Sequence, residues 1–189
     1  MLNHTLSKEQ AGLLIIDVQE KLFPHVDHPC DILDKMLLAI EGCKILGLPI
    51  VVSEQNPKGL GYTIAPIKNL LGDEQKYYEK TSFSCLKNES LFNTIEEMPI
   101  KQWILLGLEA HVCMLQTAKD LLQKGYQVTI LNDATSSRSI YDFSTAIAEF
   151  RDVGARVSST ETVLFELTED AKDQKFREIS HLIKTRFAS

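Results

Sequence analysis

The sequence predicts a single-domain α/β protein with a doubly wound, mainly parallel six-stranded sheet and helices on both faces. Three observations carry this. Short, almost wholly apolar runs alternate with longer stretches of helical periodicity from one end of the chain to the other, the mark of repeated strand–helix–strand units. The apolar runs are continuous rather than alternating, as in strands covered on both faces. The chain has 189 residues, 44% of them hydrophobic and 24% charged, which suits one core. No linker, repeat or low-complexity tract divides it, so residues 1–189 read as one domain.

Taken in order, residues 12–17 (GLLIID) form the first strand, apolar until it ends on a charge. Residues 31–46 carry Ile32, Met36, Leu37, Ile40 and Ile45 at helical spacing, and Gly47 closes that helix as a left-handed cap. The second strand is 49–53 (PIVVS), the third 76–79, the fourth 102–107 (QWILLG), the fifth 127–131 and the sixth 155–158. Helices are expected at 89–97, 114–124 and 139–153, with Gly125 and Gly154 as closing glycines, and a last helix at 171–186. Short helical turns are expected after residue 20 and near 63–70.

Composition removes several function classes. Twenty Lys and Arg against twenty-six Asp and Glu give a net charge of −6, and no basic cluster exceeds two residues, so no nucleic-acid partner is expected. No apolar stretch approaches the roughly 18 residues of a membrane span, so no membrane partner is expected. The first ten residues show neither a secretory nor a transit pattern, and the expected location is the cytoplasm. Four cysteines (30, 43, 85, 113) without paired spacing read as reduced thiols, one of them available for chemistry.

In a doubly wound sheet, ligands bind beyond the carboxyl ends of the strands. There the sequence places Asp17 after the first strand, Lys80 after the third and Cys113 after the fourth. Cys113 opens a helix, whose positive end favours a thiolate; a nearby lysine would lower its pKa and a nearby carboxylate could accept its proton. Backbone N–H groups at such a turn can hold an oxyanion, worth roughly 3 kcal/mol per donor. Each residue also has a plainer reading: an inert buried thiol, a solvated strand-end carboxylate, a surface lysine. The three together make an acid–lysine–thiol set.

The segments LLIIDVQ (13–19), SEQNPKGLG (53–61), KTSFS (80–84), GLEAHVCMLQTAKDLLQKGYQV (107–128), DATSSRS (133–139) and the stretch 161–183 resemble the isochorismatase-like cysteine hydrolases. That family includes nicotinamidases and N-carbamoylsarcosine amidohydrolase, and the likeness is greatest to its small isochorismatase-domain proteins. The resemblance implies strand order 3-2-1-4-5-6 and a catalytic triad of Asp17, Lys80 and Cys113. Asp17 takes and returns the thiol proton, Lys80 stabilises charge, and Cys113 forms a thioester with a small-molecule carbonyl. It also implies a non-proline cis peptide at Leu108–Glu109, which would aim the N–H groups of Glu109 and Cys113 at an oxyanion, and a homo-oligomer, dimer or tetramer.

Nicotinamidases bind a metal through an Asp-x-His pair after the second strand. Here that position reads Ser53-Glu54-Gln55-Asn56-Pro57, and the five histidines (4, 25, 28, 111, 181) have no ligand spacing, so no metal and no cofactor are expected. Gln19 and Gln55 are candidate amide contacts to substrate, Phe23 and Phe83 candidate walls, and His111 a candidate neighbour of the thiol. Cys85 reads as a packed thiol near the site, and the segment from Asp133 to Arg138 as a structural helix entry. The leading expectation is a metal-independent hydrolase of a C–N bond. An ether or ester hydrolase, a non-catalytic oligomeric binding protein and a redox-responsive thiol protein are the alternatives.

Overall fold

A computed structural model describes residues 5–186, so His4 and the expected domain's outermost residues lie outside the described residues. Six strands form one sheet: β1 (Ala11–Ile16), β2 (Ile50–Gln55), β3 (Tyr77–Lys80), β4 (Gln102–Leu108), β5 (Gln127–Ser136) and β6 (Arg156–Ser158). Their order is β3-β2-β1-β4-β5-β6, and every neighbouring pair is parallel. Order reverses beside β1, and in open sheets of this kind ligands bind at that point, beyond the carboxyl ends of the strands.

Eight helices connect and cover the strands: α1 (Pro29–Leu46), α2 (Pro57–Leu60), α3 (Ala65–Leu71), α4 (Glu89–Glu97), α5 (Leu115–Gln123), α6 (Ile140–Asp152), α7 (Thr160–Thr168) and α8 (Phe176–Arg186). Alternation along the strands splits the core in two. Leu13, Ile15, Val52, Ile104 and Leu106 pack with Met36 and Ile40 of α1 and Val163 and Leu167 of α7. Leu14, Ile16, Val51, Trp103, Leu105 and Ile130 pack on the other face with Leu91 and Ile95 of α4, Leu121 of α5 and Phe150 of α6. Both sides of β1 and β4 are thus sealed, which explains their continuous apolar sequences.

The largest departures from the sequence reading are three. β5 runs to Ser136, because a register shift between Leu105 and Gly107 lets β4 regain pairing, Gly107 with Thr135 and Leu108 with Ser136. The stretch read as a helix entry is therefore strand, and the entry itself is Ser139, whose hydroxyl accepts from Tyr141 N. The closing helix begins at Phe176 rather than 171, since Asp170 and Asp173 turn the chain by accepting from Lys172 N and Lys175 N. Helix α7 was not expected. It is capped at a distance by Asp133, whose Oδ1 accepts from both N and Oγ1 of Thr160, each at 2.9 Å. Asp133→Ala is expected to remove this cap at a cost of about 1 kcal/mol, read as a fall of about 2–4 °C in the thermal midpoint.

Candidate active site

β1 delivers Asp17. By alternation its side chain belongs to the face of Leu13 and Ile15, but its backbone is left-handed (φ 54°), a conformation Asp tolerates better than most residues. The turn brings its carboxylate among side chains of the opposite face, and Asp17 is fully buried. Oδ1 accepts from Ser53 Oγ at 2.7 Å and Oδ2 from Lys80 Nζ at 2.6 Å. Lys80 is the last residue of β3 rather than just past it, aligned with Gln55 of β2. Besides Asp17, its ammonium meets Gln55 Oε1 at 2.8 Å and the carbonyls of Phe83 and Ser82 at 2.9 and 3.2 Å. Its three N–H groups are fully engaged.

β4 delivers the thiol. Gly107 has φ 140°, and a Cβ there would stand 2.1 Å from Ile16 O, so only glycine lets β4 pass β1 at this point. The Leu108–Glu109 peptide is cis. The chain then enters a π-helical turn, Ala110–Met114, whose wide spacing has Met114 N donating to Glu109 O at 3.3 Å. The Glu109 N–H finds no backbone acceptor among the described residues. Cys113, within this turn, is 5% exposed, and its thiol lies within the electrostatic reach of Asp17 and Lys80.

The electrostatics differ from the expected activated thiolate. Burial, and then the Asp17 carboxylate, push the Cys113 thiol well above its ordinary range, against the pull of Lys80. Burial alone would depress the Lys80 ammonium, but Asp17 and the two nearby thiols outweigh it and hold Lys80 above its usual value. The second thiol is Cys85, wholly buried, its Sγ donating to Ser53 Oγ at 3.5 Å. Burial pushes it up to about 11. At neutral pH the Cys113 side chain is therefore a protonated thiol and that of Lys80 an ammonium.

The other candidates separate. Gln19 is fully buried, with Nε2 donating to the carbonyls of Gln55 and Gly61 and Oε1 accepting from Gln55 N. Gln55 donates to Thr81 O while accepting from Lys80. Both amides thus brace the loops and the lysine. Phe23 is half-buried against the α1 side of the core, whereas Phe83 is 51% exposed, beside the carbonyl that receives Lys80. His111 Nδ1 is 2.9 Å from Ser137 Oγ and Nε2 is 4.0 Å from Asp142, so its ring is engaged away from the thiol. Ser53 and Arg138 were not singled out from sequence as site residues. Arg138 Nε donates to Glu109 Oε1 at 2.7 Å. Among the described residues no group of three or more His, Cys, Asp or Glu is arranged to hold a metal.

A doubly wound sheet with an acid, a lysine and a cysteine on its carboxyl edge defines a hydrolase fold of the isochorismatase type. The sequence profile of the isochorismatase domain matches residues 11–162, and the chain belongs to the isochorismatase family. Isochorismatase family protein 1A of Dictyostelium discoideum is 36% identical over 96% of this chain and 89% of its own. Isochorismatase domain-containing protein 1 of Danio rerio is 38% identical over 95% of this chain, which spans 62% of that protein. Among solved structures, MAR1 ribonuclease from Caenorhabditis elegans aligns with a TM-score of 0.89 and 33% identity over 95% of this chain and 92% of its own. The YcaC gene product of Escherichia coli, described as an octameric hydrolase of unknown specificity, aligns with a TM-score of 0.92 at 20% identity over 97% of this chain and 91% of its own. That last likeness concerns the fold alone.

Proposed function

We propose that the protein is a metal-independent cysteine hydrolase that cleaves the C–N bond of a small amide-type substrate through a thioester at Cys113. One observation carries this reading: a wholly buried carboxylate–lysine pair, Asp17 and Lys80 at 2.6 Å, brought together with the buried thiol of Cys113. Asp17 removes the thiol proton as sulfur attacks the carbonyl, and the N–H of Glu109 faces the resulting oxyanion. As the oxyanion collapses, the C–N bond breaks and Asp17 returns the proton to the leaving amine. Water then attacks the thioester, giving a proton to Asp17. The C–S bond breaks, the thiol is restored and a carboxylic acid departs. Lys80 and Asp17 neutralise each other's charge in a dry site.

A nucleophilic thiol suits acyl chemistry better than ether cleavage. All four cysteines are free, which suits a reducing cytoplasm, and Ile140 and Tyr141, exposed at the head of α6, offer a patch for a homo-oligomer, dimer or tetramer. The name of the nematode relative raises RNA as an alternative substrate; the net charge of −6 favours a small molecule.

The test uses p-nitrophenyl acetate and a panel of small aliphatic amides. Acylation is located by intact-protein and peptide mass spectrometry, with ribonuclease activity measured in parallel. The expected result is an acyl group on Cys113 alone and a loss of at least about a thousandfold in turnover for Cys113→Ser and for Asp17→Asn. Acylation elsewhere, undiminished turnover in Cys113→Ser, or RNA cleavage that depends on Cys113 would overturn the reading.

A further inference from the structure

Glu109 carries an acid into the place where negative charge must develop. Its own N–H, four residues before Cys113 in the chain, finds no backbone acceptor among the described residues, so its carboxylate stands within one residue's reach of any oxyanion held by that N–H. Glu109 is 8% exposed, and water screens it poorly. An unopposed carboxylate at that distance raises the energy of a second anion.

Arg138 opposes it. Because Leu108 of β4 aligns with Ser136 of β5, residues 109 and 138 leave their strands side by side, and Nε meets Oε1 at 2.7 Å. The carboxylate of Glu54, buried near the end of β2, is held by Thr63, and the remaining contacts between ionisable groups near this edge do not involve Glu109. His111 faces Asp142, His28 faces Asp27 at 2.9 Å, and Lys80 is engaged with Asp17. Among the described residues, Arg138 is the single ion-pair partner of Glu109. The Arg138 side chain is 64% exposed.

We infer that Arg138 is a positioning residue for the Cys113 chemistry: by neutralising the Glu109 carboxylate it leaves the N–H of residue 109 free to serve an oxyanion. The inference rests on the cysteine-hydrolase reading and adds to it an electrostatic requirement specific to steps that form an oxyanion.

The experiment compares two reagents on the intact protein. Acetylation by p-nitrophenyl acetate passes the thiol proton to Asp17, forms the C–S bond through an oxyanion and expels nitrophenolate. Alkylation by iodoacetamide forms the C–S bond by displacing iodide, without an oxyanion. Both rates at Cys113 are measured for wild type, Arg138→Gln, Glu109→Gln, the double variant and Arg138→Lys. Arg138→Gln is expected to slow acetylation on the order of a hundredfold when Glu109 is present. The same change made in the Glu109→Gln background is expected to cost less than about threefold, as is its effect on alkylation in either background. Arg138→Lys, which keeps the charge, is expected to stay within about tenfold of wild type.

Equal losses of acetylation in both backgrounds would mean that Arg138 touches the reagent itself, and would overturn the inference. So would an unchanged acetylation rate in Arg138→Gln, or acetylation and alkylation falling together, which would mark a disordered site. If wild type is not acetylated at Cys113 at all, the hydrolase reading fails and takes this inference with it. That result is distinct from the three outcomes that overturn the inference alone.

Discussion

Replacing Lys80 by Met is expected to destabilise the protein by about 3–5 kcal/mol and to lower its thermal midpoint by about 10 °C, while abolishing acylation of Cys113. Both side chains of the Lys80–Asp17 pair are wholly shielded from solvent, so removing the ammonium strands a carboxylate with only Ser53 and the thiol beside it. The same change removes the one cation that pulls the Cys113 thiol downward, so the nucleophile becomes still harder to ionise. Fold and chemistry separate in the double variant Lys80→Met/Asp17→Asn. Asn also tolerates the left-handed backbone at position 17, and a neutral pair leaves no buried charge. Most of the lost stability is therefore expected to return while acylation does not. Denaturant unfolding of the three proteins, with mass-spectrometric acylation of each, decides the matter. A single variant within about 1 kcal/mol of wild type would show that water reaches the pair.

The contrast between Asp17 and Ser53 shows how far the sequence could be read. Asp17 ends a run of buried apolar residues, and a charge there is visible as an anomaly at the edge where ligands bind. Lys80 and Cys113 follow from the same rule, strand by strand. Ser53 closes the second strand as read from the sequence, though β2 runs on to Gln55, and a serine there carries no signal; its role appears only when Asp17 Oδ1, 36 residues away, accepts its hydrogen bond. Gln19 and Gln55 read as candidate substrate contacts because both are amides on the functional edge, but the loop backbone and Lys80 already engage them. The extension of β5 depends on a register shift against β4, and the start of α7 on an aspartate 27 residues upstream. Neither leaves a local pattern. The state of the thiol was hidden for the same reason. A cysteine opening a helix reads as activated, and only the assembled site brings together the burial and the Asp17 carboxylate that outweigh Lys80.

That outcome has a consequence for the whole fold at alkaline pH. Three thiols, Cys43, Cys85 and Cys113, are held above the ordinary value of 9.0, chiefly by burial, Cys43 at about 12 and Cys85 at about 11. Above pH 9 the unfolded chain releases these protons while the folded chain keeps them. The folded state then binds more protons, and stability falls as pH rises. The contribution is fully present below pH 9 and is lost progressively toward each folded-state pKa. Each thiol contributes a slope of about 1.4 kcal/mol per pH unit, and three together about 4 kcal/mol per unit. Between pH 9 and pH 10 that removes a large fraction of the roughly 5–15 kcal/mol that holds a domain together. Cooperative unfolding is expected before pH 11, with the lysines and tyrosines adding to it only at the upper end. Urea unfolding at half-unit steps from pH 8 to pH 10 measures the slope directly. Cys43 lies outside the candidate site, in α1, so Cys43→Ala is expected to start less stable, having lost packing, but to lose stability with a slope shallower by about one third. A wild-type slope no steeper than one thiol accounts for, or a Cys43→Ala slope equal to wild type, would show that these thiols ionise within the folded protein. The protonated resting state of Cys113, and with it the need for Asp17 to draw off the proton, would then have to be given up.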